Sequence, residues 1–265
     1  MSAIAKFNQR AKAVNSLLCV GLDSDYKRLP QRFRNYEYPQ FIFNRWIIEQ
    51  THPYVSAYKP NIAFYEARGP RGLTALRMTM EYLQANHPDI LTICDAKRAD
   101  IGSTSEAYAE SVFDNYGFDT VTLNPYMGRQ ALAPFLSRAD KGSIILCRTS
   151  DSGSGELQEL RVDGVPLWQV VAKKVAEEWD EHGNCMLVMG GTYPAEMQQV
   201  RALVGEMPFL VPGLGAQGGN TEAVLAAGLT EDKLGLIVNS SRSIIFAEDP
   251  AEAAAQFNAE INAYR

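Results

Sequence analysis

Residues 90–104, ILTICDAKRADIGST, begin as an apolar run of the kind that fills a protein interior and end in Asp95, Lys97, Arg98 and Asp100, four charges within six positions. Residues two apart on a strand share a face, so Leu91, Ile93, Asp95 and Lys97 point one way if the strand persists to 97. In a closed barrel that face is the interior. The apolar pair then fills the barrel and the charged pair stands at its mouth.

Seven more short β-type runs surround this one: LLCVGLD (17–23), VSAYKPN (55–61), TVTLNP (120–125), SIILCR (143–148), CMLVMG (185–190), FLVPG (209–213) and LGLIVNSS (234–241). Helical patterns separate them, among them QFIFNRWIIEQT, TALRMTMEYLQAN and PAEMQQVRALVG, each with the 3.6-residue periodicity of a helix lying on a sheet. Ser103 with Glu106 and Asp249 with Glu252 have capping-box spacing, and Pro250 suits a first helical position. Eight strand–helix units in 265 residues, with no linker-like stretch between them, predict an α/β fold: a single-domain TIM (β/α)8 barrel over residues 1–265. Chemistry in that architecture sits at the C-terminal strand ends, and those are the points where this sequence turns polar.

Composition removes several function classes. A net charge of −6 and no evident basic face argue against nucleic acid. The N-terminal stretch is broken by Lys6, Arg10 and Lys12, which fits neither a signal peptide nor a membrane span, so a cytoplasmic location is expected. Cys19, Cys94, Cys147 and Cys185 are far apart and lie in apolar runs, a pattern of core thiols. His52, His87 and His182 stand where helices end, beside Pro or Gly, which leaves a metal site or a Ser-His-Asp triad without its usual residue.

The charges at the barrel mouth point to a reaction. Asp23 and Lys59 end two neighbouring strands with the same pair of signs as Asp95 and Lys97, and Asp100 completes a D-x-K-x-x-D element. Carboxylates on both sides hold Lys97 protonated, so it is a poor Schiff-base nucleophile and a good proton donor to a developing carbanion. A substrate carboxylate beside Asp95 is repelled, whereas the carbanion left after CO2 departs is attracted to Lys97. The array suits decarboxylation.

A second site is expected on the far side of the mouth. Gly213, Gly215 and Gly218 spell G-x-G-x-x-G, but after the seventh strand rather than the first, and without the acidic residue that holds a ribose in dinucleotide folds. In a barrel the loops after strands 7 and 8 recurrently bind phosphate, which gives these glycines, Gln217, Asn220 and Arg242 a better use. The substrate is expected to be a small phosphate ester carrying a leaving carboxylate.

DAKRADIGST resembles the signature of the orotidine 5′-phosphate decarboxylase family, and LCVGLD, YKPNIAFYEARGPRG, TLNPYMG, RTSDSGSG, PGLGAQGG and NSSRSI extend the resemblance, in order, through most of the chain, in the manner of the longer bacterial branch. Ala99 departs from the glycine more usual there and leaves the charged spacing intact. The resemblance implies decarboxylation of orotidine 5′-phosphate to UMP without metal or organic cofactor. It makes Asp95 the carboxylate facing the substrate carboxylate and Lys97 the proton donor to C6. Asp23 and Lys59 bind ribose hydroxyls, Ser150 contacts the pyrimidine, and Gly215, Gln217 and Arg242 hold the phosphate. Asp100 and Thr104 reach the neighbouring subunit's site, which implies a homodimer with shared active sites. Residues 152–166, long for a βα connection, are a candidate cover over the base. The nearest rival is a metal-dependent sugar-phosphate decarboxylase or aldolase sharing D-x-K-x-x-D, in which an acidic metal ligand stands where this chain has Lys59; a non-catalytic nucleotide-phosphate binder is the rival of another class.

Overall fold

The computed structural model describes residues 1–214 and 220–265. Eight parallel strands follow one another around a closed barrel: β1 Leu18–Val20, β2 Ala57–Tyr58, β3 Leu91–Arg98, β4 Thr120–Leu123, β5 Gly142–Arg148, β6 Cys185–Met189, β7 Phe209–Val211 and β8 Leu236–Ser240, which pairs back onto β1. Every expected strand is present, and every connection carries helix. This is the TIM barrel the alternating pattern predicts.

Several strands are shorter than their apolar runs. Beyond Val20 the chain keeps only single ladder bonds, from the N–H of Gly21 to the Ser240 carbonyl (2.8 Å) and from that of Leu22 to the Lys59 carbonyl (3.1 Å). Those last bonds lead the chain out to the mouth. At the opposite end β3 is pinned to its neighbour: Asp119, just before β4, accepts from the N–H and the hydroxyl of Thr92 and from Lys6, each at 2.8 Å. Lys6 comes from the N-terminal helix Ala3–Ala13, whose Arg10 donates to the carbonyls of His52 and Val55.

The helix caps differ in part from expectation. Asp249 does cap Pro250–Ala263, accepting from the N–H groups of Ala251 and Glu252. The helix after β3 starts at Gly102, with Ile101 at the cap, so Ser103 and Glu106 lie inside it and form no box. Gly102 at φ +45 is already part of the turn off β3, which moves the start forward. The stretch Ser152–Pro166 also contains more than loop: a helical turn Gly155–Gln158 and an antiparallel ribbon of Arg161–Val162 with Val165–Pro166.

Basic residues are less dispersed than the sequence reading took them to be. Lys27, Arg28, Arg32 and Arg34 crowd the connection after β1, but Arg28 lies over Phe246 and Arg32 over Trp46, each with 4.5 Å to the ring centroid. Arg34 is spent on the carbonyls of Leu29 and Lys27. These cations brace loops through ring faces and carbonyls.

All four cysteines are buried and free, as core thiols should be. Burial pushes the Cys19, Cys94 and Cys147 thiols up to about 12, and Cys185 is raised as well. Thiolate is the reactive form. A disulfide-exchange reagent at pH 8 is therefore expected to label none of the four in the folded protein and all four after denaturation, which counting the released chromophore checks.

Candidate active site

The site is assembled where β1, β2, β3, β7 and β8 open at their C-terminal ends. Asp23, Lys59 and Asp95 meet Pro212–Leu214 and Asn239–Ser243 around a cleft of ≈ 600 Å³ that is open to solvent. Two close approaches shape its rim. A Cβ on Gly21 would lie 1.9 Å from the Ser241 hydroxyl, and one on Gly190 would lie 2.8 Å from the Ser150 backbone nitrogen. Only glycine lets β1 close on β8 and β6 close on the end of β5 there.

Asp95 is the centre of the charge array. Its Oδ2 accepts from Lys59 Nζ (3.1 Å) and Asn61 Nδ2 (3.1 Å), and its Oδ1 from Lys97 Nζ (2.6 Å) and the Thr122 hydroxyl (3.1 Å). Burial by itself would raise the Asp95 carboxyl, but the ammonium groups of Lys59 and Lys97 hold it well below the usual carboxylate range. Lys59 is buried too, which would lower it. Asp95 and Asp23 overcome that and leave it raised and charged. Asp23 is the looser partner, at 4.0 Å from Lys59 Nζ, and its buried Oδ1 has no hydrogen-bond donor among the described residues.

The turn that carries Asp23 is fixed from behind by a buried polar network. Tyr65 donates to the Leu22 carbonyl (2.8 Å), Gln40 to the Ser24 carbonyl (2.8 Å), and Asn44 to Tyr65 (2.8 Å) and Thr79 (3.0 Å). With every donor placed, such a network permits few alternative arrangements of the turn.

β3 does not keep its alternation to Lys97. Its pairing with β4 shifts register between Cys94 and Arg98, and Lys97 adopts a left-handed φ of +50. The Lys97 side chain is 49 % exposed, so its ammonium reaches Asp95 from the open side of the mouth while Lys59 approaches from within. Two carboxylates, Asp23 and Asp95, face two ammonium groups.

Asp100 and Thr104 are not brought to this cleft within one chain. Asp100 accepts from the N–H of Ile101 and makes no ion pair among the described residues, and Thr104 is exposed. Beside them in the chain Ile101 is 68 % exposed. Arg242 lines the cleft with its side chain exposed, as the first residue of the short helix Arg242–Ile245. Gly215 and Gln217 lie outside the described residues.

Ser150 sits half-buried against Gly190, next to an anchored segment of the β5–β6 connection. The buried Arg148 at the end of β5 donates to Ser154 (2.6 Å) and Gln158 (3.3 Å), pairs with Glu159 (2.7 Å), and lies 3.7 Å from the Tyr193 ring centroid. Gln158 also accepts from the N–H of Thr149 (2.9 Å). One arginine thus ties residues 154–159 to the mouth.

Sequence reasoning missed three residues here: Asn61, Thr122 and Asn239. Asn61 lies two positions from Lys59, and that period-2 spacing points to it, whereas Asn239, three positions before Arg242, has no such signal. Asn239 is buried in the cleft wall with its Oδ1 unpartnered among the described residues. Nothing in a Thr-Val-Thr-Leu run distinguishes Thr122 from a barrel filler.

Comparison with known proteins agrees with this geometry. The model of the "Orotidine 5'-phosphate decarboxylase / HUMPS family" matches residues 16–257. The chain is 47 % identical over 259 residues to an orotidine 5'-phosphate decarboxylase of Cellvibrio japonicus, covering 96 % of this chain and 94 % of that one. It is 48 % identical over 258 residues to one of Azoarcus sp. (strain BH72), covering 95 % of each. The solved structure of Leishmania donovani OMP decarboxylase superimposes with a TM-score of 0.89 at 40 % identity, covering 100 % of this chain and 98 % of that one. A family model spanning most of the sequence, with relatives nearly half identical along almost its whole length, makes this chain a member of the orotidine 5′-phosphate decarboxylase / HUMPS family.

Proposed function

We propose that the Asp95–Lys97 pair carries out the decarboxylation of orotidine 5′-phosphate to UMP and CO2, the step of pyrimidine biosynthesis for which the relatives are named, with residues 1–265 acting as one catalytic domain. The observation that carries this reading is the four-donor grip on Asp95, which keeps one carboxylate ionised and one ammonium poised at the mouth. The substrate carboxylate is set against Asp95. As the C–C bond to CO2 breaks, its electron pair stays on C6 of the ring, and Lys97 delivers the proton that completes UMP. Stabilisation of that carbanion by a preformed array supplies the larger part of the acceleration. Repulsion between the two carboxylates adds to it.

Asp23 and Lys59 take the ribose hydroxyls; the undonated Oδ1 of Asp23 suits a hydroxyl donor. Ser150 meets the pyrimidine under the segment that Arg148 anchors. Arg242, with Gly215 and Gln217, takes the phosphate, and binding there draws the mouth closed. No metal or organic cofactor takes part: Lys59 occupies the position of the acidic ligand in metal-dependent relatives, and its ammonium repels a divalent cation. Asp100 and Thr104 serve the partner's site in a homodimer, a reading supported by Asp100's lack of an ion pair among the described residues and by the exposed apolar side chain of Ile101 next to it. The protein works in the cytoplasm and contacts neither nucleic acid nor membrane; among the described residues no helix is long and apolar enough to cross a bilayer.

Loss of orotate-ring absorbance on mixing with orotidine 5′-phosphate in excess EDTA tests the chemistry. Wild-type protein is expected to turn over undiminished, and Lys97→Ala to lose a factor of roughly 10²–10⁴ in kcat. A wild-type protein silent until Mg2+ is added would favour the metal-dependent reading. Arg242→Ala is expected to lower kcat/KM by about 10- to 100-fold, the worth of one charged hydrogen bond, and retention of normal efficiency would defeat the phosphate assignment. Shared sites make a third prediction. Mixing inactive Lys97→Ala and Asp100→Ala proteins should recover activity, because one site of the mixed dimer then has both residues; a mixture as inactive as its components would place Asp100 elsewhere.

A further inference from the structure

We infer that Thr122 is a positioning residue for this reaction, setting both the reach of Lys97 and the orientation of Asp95; the inference rests on the assignment of those two residues above. A threonine hydroxyl has one proton to give and two lone pairs to receive. In β4 all three are committed. The N–H groups of Ala96 and Lys97 both donate to Thr122 Oγ1 at 2.9 Å, and the hydroxyl proton goes to Asp95 Oδ1 at 3.1 Å, the Cys94 carbonyl at 3.5 Å being the remote alternative.

Each bond has a separate consequence. The regular ladder between β3 and β4 breaks between Cys94 and Arg98, which would leave the Ala96 and Lys97 N–H groups without a strand partner. Thr122 replaces that partner with one side-chain atom. Its two accepted bonds are compatible with the left-handed Lys97 backbone at φ +50, a conformation that non-glycine residues hold only when neighbours enforce it. The kink turns the lysine out of strand alternation and lets its ammonium reach the same carboxylate oxygen, Oδ1, that receives the Thr122 proton. With its two lone pairs occupied by N–H groups, the hydroxyl can approach Asp95 only as a donor. The proton donor and the carboxylate are therefore aligned through one oxygen buried from solvent, outside the residues that line the cleft.

Thr122→Val keeps the shape of the side chain and removes all three bonds, and Thr122→Ser restores the hydroxyl. The valine variant is expected to show a kcat roughly 10- to 100-fold below wild type, the scale of an ångström-level misplacement of a catalytic group. Its affinity for UMP, which lacks the carboxylate, should stay within a few-fold of wild type, and the serine variant should recover most of the kcat. Three results would overturn the inference: a valine variant with wild-type kcat, a serine variant as slow as valine, or a valine variant whose loss appears equally in UMP binding. Wild-type turnover that Lys97→Ala abolishes, together with an unimpaired valine variant, defeats this inference alone. Absence of turnover by the wild-type protein defeats the assignment of Asp95 and Lys97 and this inference with it.

Discussion

Everything at the barrel mouth depends on one carboxylate that cannot be left unpaired. Asp95 is almost wholly buried, and an isolated ionised group at such a depth would cost several kcal/mol. It is tolerated because donors arrive from three consecutive strands: Lys59 and Asn61 from the end of β2, Lys97 from β3 itself, Thr122 from β4. That requirement fixes neighbours and register together. If β2 or β4 slipped by one residue its contributing side chains would turn to the other face, and Asp95 would be stranded.

The far side of the mouth is built on a different principle. Around Asn239–Ser243 and Pro212–Leu214 the wall is polar, with Asn239 Oδ1 lacking a partner among the described residues and Arg242 exposed. Between the two sides, Arg148 holds residues 154–159 through Ser154, Gln158 and Glu159.

The order of strands and the identity of the charged residues were legible in the sequence because both follow from short periods: apolar runs for the barrel, charge at their ends for the mouth. Asp23, Lys59, Asp95 and Lys97 do converge. What escaped was set by tertiary geometry. Lys97 was read as continuing the strand alternation, but the register shift at Cys94/Arg98 bends it away from that face. Thr122 has no local signature, because its role exists only when β3 lies beside it. Asp100, counted with the others from its spacing, is not among the residues that line this chain's cleft, and the capping box at Ser103 is displaced by the turn at Gly102. Sequence period reports which face a residue shares; it does not report where the ladder breaks.

β3 is fastened to β4 twice, by Asp119 gripping Thr92 at its beginning and by Thr122 gripping Ala96 and Lys97 at its end. Between these rivets the strand has no freedom to slide, and the charges it bears are already at their stations before any ligand arrives. The work of crowding like and unlike charges together is thus done once, when the chain folds, and need not be repeated at each turnover.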